Sequence, residues 1–313
     1  MHSNQNSIFI VGSGAIGKAL AVFLKLSGRN ITLIRGSIND GSRKTQSIRV
    51  ETANGTIHEA DIDIATLSTF HSIDGIVVLA TKSFGNEQLA NLLKDKIGSS
   101  PLVLLQNGMG VEQPFIQNDF PEVYRCVLFV TSQSVDEKSV RFKPVAVCPI
   151  GIEKGTMDNL NNVVQLLHTP HFGFKTETHI QPIIWKKAIV NSVFNSVCPL
   201  LEVDNGIFHR NNAALQIARQ IISECTAIAK EKGILIDTKE VEESLLQISK
   251  SSDGQLISTL QDIRNNRKTE IETLNFEIVR VANSLDKGHT VEKTQLLGEL
   301  TMLKASLNRQ VSL

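Results

Sequence analysis

The sequence predicts an α/β protein, with an N-terminal Rossmann-type doubly wound sheet followed by an all-helical C-terminal domain. Three observations carry this. A glycine-rich turn follows the first apolar run and opens a helix. Short β-rich runs then alternate with helical ones to about residue 180. From 181 onward the periodicity is helical only. The chain's 313 residues suffice for two domains with cores of their own, assigned as 1–180 and 181–313.

The first strand is Ile8–Val11, and Ala15–Leu26 has helical periodicity. Between them Gly12, Gly14 and Gly17 satisfy G-x-G-x-x-G within Gly12-Ser13-Gly14-Ala15-Ile16-Gly17. Gly12 permits the turn, Gly14 lets a pyrophosphate approach the backbone, and Gly17 lets the helix pack close to the strand. The free N–H groups and dipole at the helix start favour phosphate. The strand–turn–helix context is what turns a weak pattern into a dinucleotide-binding expectation. The next strand, Ile31–Ile34, ends at Arg35 where an NAD site would carry an acid. Arg35, with Ser37, Arg43 and Lys44 nearby, predicts NADP(H) through paired guanidinium contacts to a 2′-phosphate.

Further strands are predicted at Ile76–Ala80, Leu102–Leu105, Val127–Val130 and Val145–Ile150, with a hairpin at Asn54-Gly55 joining Ser47–Thr52 to Thr56–Ile62. Helices are predicted at Gln88–Asp95 and Asn159–Leu167. Lys82 and Asn107 lie just beyond strands, at the carboxyl ends that border the ligand crevice of an open α/β sheet, so both are assigned to the cofactor side. The glycines of Asn107-Gly108-Met109-Gly110 allow a tight turn there.

In the second half, 211–232 reads as a helix ended by Gly233, and Asp237 with Glu240 as a capping box before Val241–Ser249. Ser251–Gly254 breaks the pattern and reads as a hinge or lid edge. A long helix from about Gln255 to Leu285 and a last helix from Thr290 follow. The chemistry is concentrated in Trp185–Asn195. On a helix Lys187, Asn191 and Asn195 advance only about 40° per step of four, forming one polar stripe among apolar neighbours. A cation aligned with two amides can hold an oxygen-rich molecule. Lys186 is offset by about 100° and is assigned to solvent or an interface.

Lys plus Arg equals Asp plus Glu at 32 each, which gives no general affinity for polyanions or membrane surfaces. Neither a nucleic-acid nor a membrane partner is expected. The four cysteines are scattered without a C-x-x-C pair and read as buried thiols in a reducing compartment. The eight histidines have no metal-ligand spacing, so no metal site is expected. The opening residues MHSNQNS lack a basic n-region, and no apolar run approaches 18 residues. A soluble cytoplasmic chain is expected.

These motifs carry a resemblance. VGSGAIG with Arg35, ATKS with Lys82, QNGMG with Asn107, WKKAIVNSVFN, and ISTLQDIRNNRKTEIETLN resemble the ketopantoate reductase family in order and spacing along essentially the whole chain. The resemblance implies NADPH-dependent reduction of a 2-oxo acid, ketopantoate, to a 2-hydroxy acid in the pantothenate and coenzyme A pathway. By residue, it places Lys187 on the general acid, Glu270 on the acidic residue of the active centre, and Asn191, Asn195, Asn205 and Ser258 on substrate contacts. A homodimer is compatible with it. Where the family has Pro-Leu-Thr-Ala this chain has Ser196-Val197-Cys198-Pro199, expected to line the substrate pocket, so the particular 2-oxo acid stays open. The alternatives are a reductase of another small branched 2-oxo acid, or a non-enzymatic NADPH-binding sensor. A sensor has no need of the Lys–Asn–Asn stripe.

Overall fold

A computed structural model describes residues 7–36 and 38–311; Ser37 and residues 1–6, and with them the reading of the N-terminal segment, lie outside the described residues. Two compact units divide the chain. One comprises 1–107 and 111–180, the other 181–313 together with Gly108–Gly110.

The first unit is built on one eleven-stranded sheet among the described residues. In chain order its elements are β1 (Ser7–Val11), α1 (Ala15–Leu26), β2 (Asn30–Arg35), β3 (Arg43–Thr52), β4 (Ile57–Thr66), β5 (Ile76–Leu79), α2 (Asn86–Lys94), β6 (Leu102–Leu104), α3 (Gln113–Gln117), β7 (Val123–Cys126), β8 (Val130–Ser134), β9 (Ser139–Pro144), β10 (Cys148–Lys154), α4 (Met157–Leu167) and β11 (Phe174–Thr176). The strand order is β11-β10-β7-β6-β5-β1-β2-β4-β3-β9-β8. The centre, β7-β6-β5-β1-β2-β4, is parallel throughout. Antiparallel pairing enters where β3 meets β4, where β10 meets β7, and within the β8–β9 hairpin.

Alternation along the central strands feeds two cores. Ile8 and Ile10 of β1, with Ile76 and Val78 of β5, join Leu20, Phe23 and Leu24 of α1 on one face. Val11, Val77 and Leu79 join Ala90 and Leu93 of α2 and Phe115 of α3 on the other. The near-continuous apolar runs of β5 and β6 follow from burial on both faces. Each such leucine removed from water contributes about 1.5–3 kcal/mol. The hairpin forms as expected: Gly55 takes φ +81° and the Asn54 side chain accepts from Thr56 N–H at 3.1 Å.

Two strand expectations need correction. Val127–Val130 is not a strand: the pairing belongs to Val123–Cys126, and β8 starts at Val130. The apolar run misled because β7 carries Arg125, 2% exposed, whose guanidinium faces Glu112 at 3.6 Å. A buried charge in a strand is tolerated only when paired, and its partner is 13 residues away. Val145–Ile150 is displaced to Cys148–Lys154. The β8–β9 hairpin and β11 have no counterpart among the predicted elements.

The second unit is helical: α5 (Ile180–Leu201), α6 (Ile207–Arg210), α7 (Asn212–Glu231), α8 (Thr238–Ser251), α9 (Ser258–Arg264), α10 (Asn275–Ser284) and α11 (Glu292–Val311). Gly233 ends α7 at φ +76°. Asp237 caps α8 by accepting from Lys239 N–H at 2.9 Å, but the capping box does not close: Glu240 instead pairs with Lys186 at 3.3 Å. The long helix expected over Gln255–Leu285 is also corrected. Asn266 enters the left-handed region at φ 54°, and Arg267 N–H folds back to the Asp262 carbonyl at 2.8 Å. The chain then passes through a short 3-10 turn, Ile271–Thr273, before α10.

All four cysteines are free and buried. Burial, then the Asp204 charge, pushes the Cys198 thiol up to about 12, and burial pushes Cys225 to about 12. Since the thiolate is the reactive form, Ellman's reagent should titrate almost no thiol in the native protein and all four after unfolding in guanidinium. A thiol that reacts fast in the native state would show that one of these sites opens. Among the described residues no helix is long and apolar enough to cross a membrane. Nor do three His, Cys, Asp or Glu side chains among them gather as a metal ion would need.

Candidate active site

In the first unit the cofactor candidates converge on one end of the sheet. Gly12 follows β1, Arg35 closes β2, Lys82 follows β5 and Asn107 follows β6, all at carboxyl ends of strands that are neighbours in the order β6-β5-β1-β2. The three glycines have separate steric causes. Gly12 sits at φ +119°, and a Cβ there would stand 2.8 Å from Ala80 C and Thr81 N. A Cβ on Gly17 would collide with the Gly12 carbonyl oxygen. Above Gly14 nothing lies within 4 Å of where a Cβ would be. Gly14 is also the N-cap of α1, with no capping side chain and no acid in the first turn. Ser13, Ala15 and Ile16 are half-buried beside it. The turn is therefore tight where the protein packs on itself and open where a phosphate would lie, with helix N–H donors undirected toward any side chain.

Arg35 is half-buried and engaged. Its guanidinium pairs with Asp40 at 3.1 Å and with the Ser42 hydroxyl. The Ser42 hydroxyl and N–H, and after them Arg35, hold the Asp40 carboxyl below the usual carboxylate range. Arg43 stacks over the Phe70 ring at 4.7 Å, and Lys44 pairs with Glu137 at 3.7 Å. A 2′-phosphate at Arg35 must therefore compete with a carboxylate. Sequence reasoning named Arg35 but not this loop partner.

Two residues it also missed tie the strand ends together. Asn86 and Gln106, both buried, exchange paired amide hydrogen bonds at 2.8 and 2.7 Å. Asn86 also donates to Val111 O at 2.8 Å, and Gln106 to the Thr81 hydroxyl at 3.3 Å. Thr81 and Gln106 immediately precede Lys82 and Asn107, so this amide pair sets the height of both loops. An asparagine opening α2 and a glutamine ending a run of leucines were the available signal.

In the second unit α5 runs unbroken through Lys187, Asn191 and Asn195, which confirms the helical premise of their alignment. Lys187 and Asn191 are half-buried, and Asn195 is 4% exposed. The Asn195 amide is partly engaged within the protein. Its Nδ2 donates to Asn191 O at 2.9 Å, and its Oδ1 accepts from the hydroxyls of Thr259 at 2.7 Å and Ser258 at 3.3 Å. Ser258 is thus brought to Asn195, and Asn195 fixes the start of α9 on α5. Ser196 returns its hydroxyl to Ser192 O at 2.6 Å, and Val197 and Cys198 are buried.

Asn205 is 7% exposed. Its backbone N–H donates to Gln255 O at 2.9 Å and its carbonyl accepts from the Ser249 hydroxyl at 2.7 Å. Its side-chain Oδ1 is buried with no hydrogen-bond partner among the described residues. The Ser251–Gly254 break beside it is anchored, with Asp253 paired to Arg210 and Arg210 doubly bonded to Asp204 at 2.7 and 2.8 Å. Glu270 is half-buried at the entry to the Ile271–Thr273 turn, not on a helical face. In the same unit Met109 N–H donates to Thr273 O at 2.8 Å, and Gly108 takes φ +91°, where a Cβ would strike Thr273.

Comparison with known proteins gives two family matches in succession along the chain. Residues 8–151 match the profile described as ketopantoate reductase PanE/ApbA, and residues 179–300 match that of its C-terminal domain. A relative from Pyrococcus horikoshii, named 2-dehydropantoate 2-reductase, is 29% identical over 282 residues, 88% of this chain and 90% of its own. Among solved structures, a dimeric ketopantoate reductase from Staphylococcus aureus superposes with a TM-score of 0.80 at 20% identity, over 96% of this chain and 99% of its own. D-mandelate dehydrogenase with NADH and anilino(oxo)acetate superposes with a TM-score of 0.82 at 22% identity, over 96% and 99%.

Proposed function

The chain belongs to the ketopantoate reductase family, a family of pyridine-nucleotide-dependent oxidoreductases, and from that premise we propose that it reduces ketopantoate to pantoate with NADPH. The observation that carries the reading is α5. One uninterrupted helix aligns Lys187 with Asn191, and Asn195 clamps Ser258 onto the same line.

Gly12–Gly17 and the first turn of α1 hold the pyrophosphate, with Gly14 leaving the room that a side chain would fill. Arg35 binds the 2′-phosphate after parting from Asp40, and Lys82 and Asn107 border the nicotinamide side. When held there, a dihydronicotinamide would supply the hydride that the ketone carbon takes up. The carbonyl π pair moves to oxygen, where the Lys187 ammonium stabilises the new charge and gives up a proton, completing the alcohol. Asn191, and the Ser258 hydroxyl once it turns from Asn195, donate to the substrate carboxylate. Asn205 Oδ1 accepts from the terminal hydroxyl, and Glu270 holds Lys187 in position. The chain acts as a homodimer, as the Staphylococcus aureus protein does by its description.

A second reading, reduction of another 2-oxo acid with NADH, is favoured by the Asp40 carboxylate on Arg35 and by the Ser196–Pro199 departure. Steady-state oxidation of NADPH and NADH against a panel of 2-oxo acids separates the two. NADPH with ketopantoate should give the highest kcat/KM. Arg35→Asp should weaken NADPH selectively, and Asp40→Asn should raise the NADPH:NADH ratio. A ratio unmoved by both variants would remove Arg35 from cofactor selection.

A further inference from the structure

Helix α11 is apolar on two opposite faces. Val291, Thr294, Thr301 and Ala305 are 0–4% exposed, and with Gly298 they pack it into the second unit against α7, α9 and α10. On the far side Leu296, Leu300, Leu303 and Leu307 are 53, 40, 53 and 51% exposed. At 100° per residue these four leucines fall within an arc of about 60°, with the alternating steps of four and three that mark a helix–helix seam. The second apolar stripe has no cover among the described residues.

The stripe has flanks of opposite charge. Glu299 borders it on one side and Lys304 on the other. Lys304 is held in place by Pro199 O and Glu202, each at 2.7 Å. That contact also brings the end of α5 alongside, where Leu201 is 53% exposed and widens the apolar patch. Leu300, Leu303, Lys304, Leu307 and Asn308 line a shallow groove along the same side.

We propose that this face is covered by the same face of a second copy of the chain, α11 against α11, about a two-fold axis parallel to the helices. The proposal rests on the homodimer in the reading above and assigns its surface. The charge pattern selects the arrangement. A parallel pair sets each leucine against its own counterpart and places Glu299 of one copy beside Lys304 of the other, twice. An antiparallel pair would place the Glu299 sides together and the Lys304 sides together. The surface is self-complementary, as a closed two-fold interface requires. From Leu296 to Leu307 the seam is about 17 Å long. It supplies a dry centre of the kind that carries most binding energy, with the charged residues as rim.

The test is sedimentation equilibrium of the full chain at micromolar concentration. The wild type should be a dimer. Leu300→Glu/Leu303→Glu, which changes only exposed positions, should be a monomer with its circular dichroism and melting temperature unchanged. Leu300→Cys should form an intermolecular disulfide on mild oxidation, because the native cysteines are buried and residue 300 faces itself. A wild-type monomer would overturn both the homodimer and this surface. A dimer that survives Leu300→Glu/Leu303→Glu would overturn the surface alone. A dimer lost in that variant but without the 300–300 disulfide would overturn the parallel arrangement. Reductase turnover, measured on the same samples, reports separately on the catalytic reading.

Discussion

Lys187→Ala is expected to lower kcat by at least about 10²-fold, the lower end of the 10²–10⁴ that a positioned general acid contributes. NADPH affinity, followed by quenching of its fluorescence, should be nearly unchanged, because the phosphate-binding turn belongs to the other unit. Lys187→Arg separates charge from proton. Arginine keeps the cation but does not release its proton near neutral pH, so substrate binding should survive while kcat stays low. Lys186→Ala is the control. Lys186 is turned about 100° away on α5 and forms a partly exposed pair with Glu240 at 3.3 Å, an interaction worth about 0–1 kcal/mol. Equal losses in the Lys186 and Lys187 variants would mean that position on the helical stripe does not decide function.

What could be read in the sequence was what has a local cause. Gly12 and Gly17 are fixed by contacts with Ala80 and with each other, and their spacing from a strand into a helix is visible in twelve residues. The Lys187–Asn191–Asn195 line follows from helical periodicity alone. What escaped depends on partners far away in the chain. β7 was hidden because Arg125, a charged residue in a four-residue strand, finds its partner at Glu112. The break between α9 and α10 was hidden because Asn265–Glu270 is a polar stretch that a helix could carry. Only the left-handed Asn266 and the return bond to Asp262 show the turn. The break matters to the site, since it lifts Glu270 off a helical face and into a turn.

The same distinction applies within the site. The pattern identified Asn195 as a polar group on the stripe, but could not show that Thr259, 64 residues on, would occupy its oxygen. Asn195 thereby ties the start of α9 to α5. Asn205 is the reverse case. It carries no periodic signal, yet in the fold its side-chain oxygen is buried and has no hydrogen-bond partner among the described residues.

That oxygen gives the second large expectation, discrimination between ketopantoate and 2-oxoisovalerate, which lacks the hydroxymethyl arm. Among the described residues Asn205 Oδ1 has no hydrogen-bond partner, and a buried acceptor without a donor costs about 1–3 kcal/mol. A substrate hydroxyl that donates to it recovers that cost in the complex and in the transition state, whereas 2-oxoisovalerate leaves it standing. Sites built around a substrate hydroxyl reject analogues lacking it by up to about 10⁴–10⁵. The expected preference for ketopantoate is at least about 10²-fold in kcat/KM. Asn205→Leu removes the acceptor without leaving a void and should collapse the preference by lowering activity on ketopantoate while sparing 2-oxoisovalerate. Measuring both substrates with both proteins closes the cycle. If wild type handles the two acids equally, the pocket does not read the hydroxyl and the buried Ser196–Pro199 segment belongs to a reductase of a different 2-oxo acid. If the preference is present but survives Asn205→Leu, the hydroxyl is read elsewhere, and Glu270 becomes the residue to test.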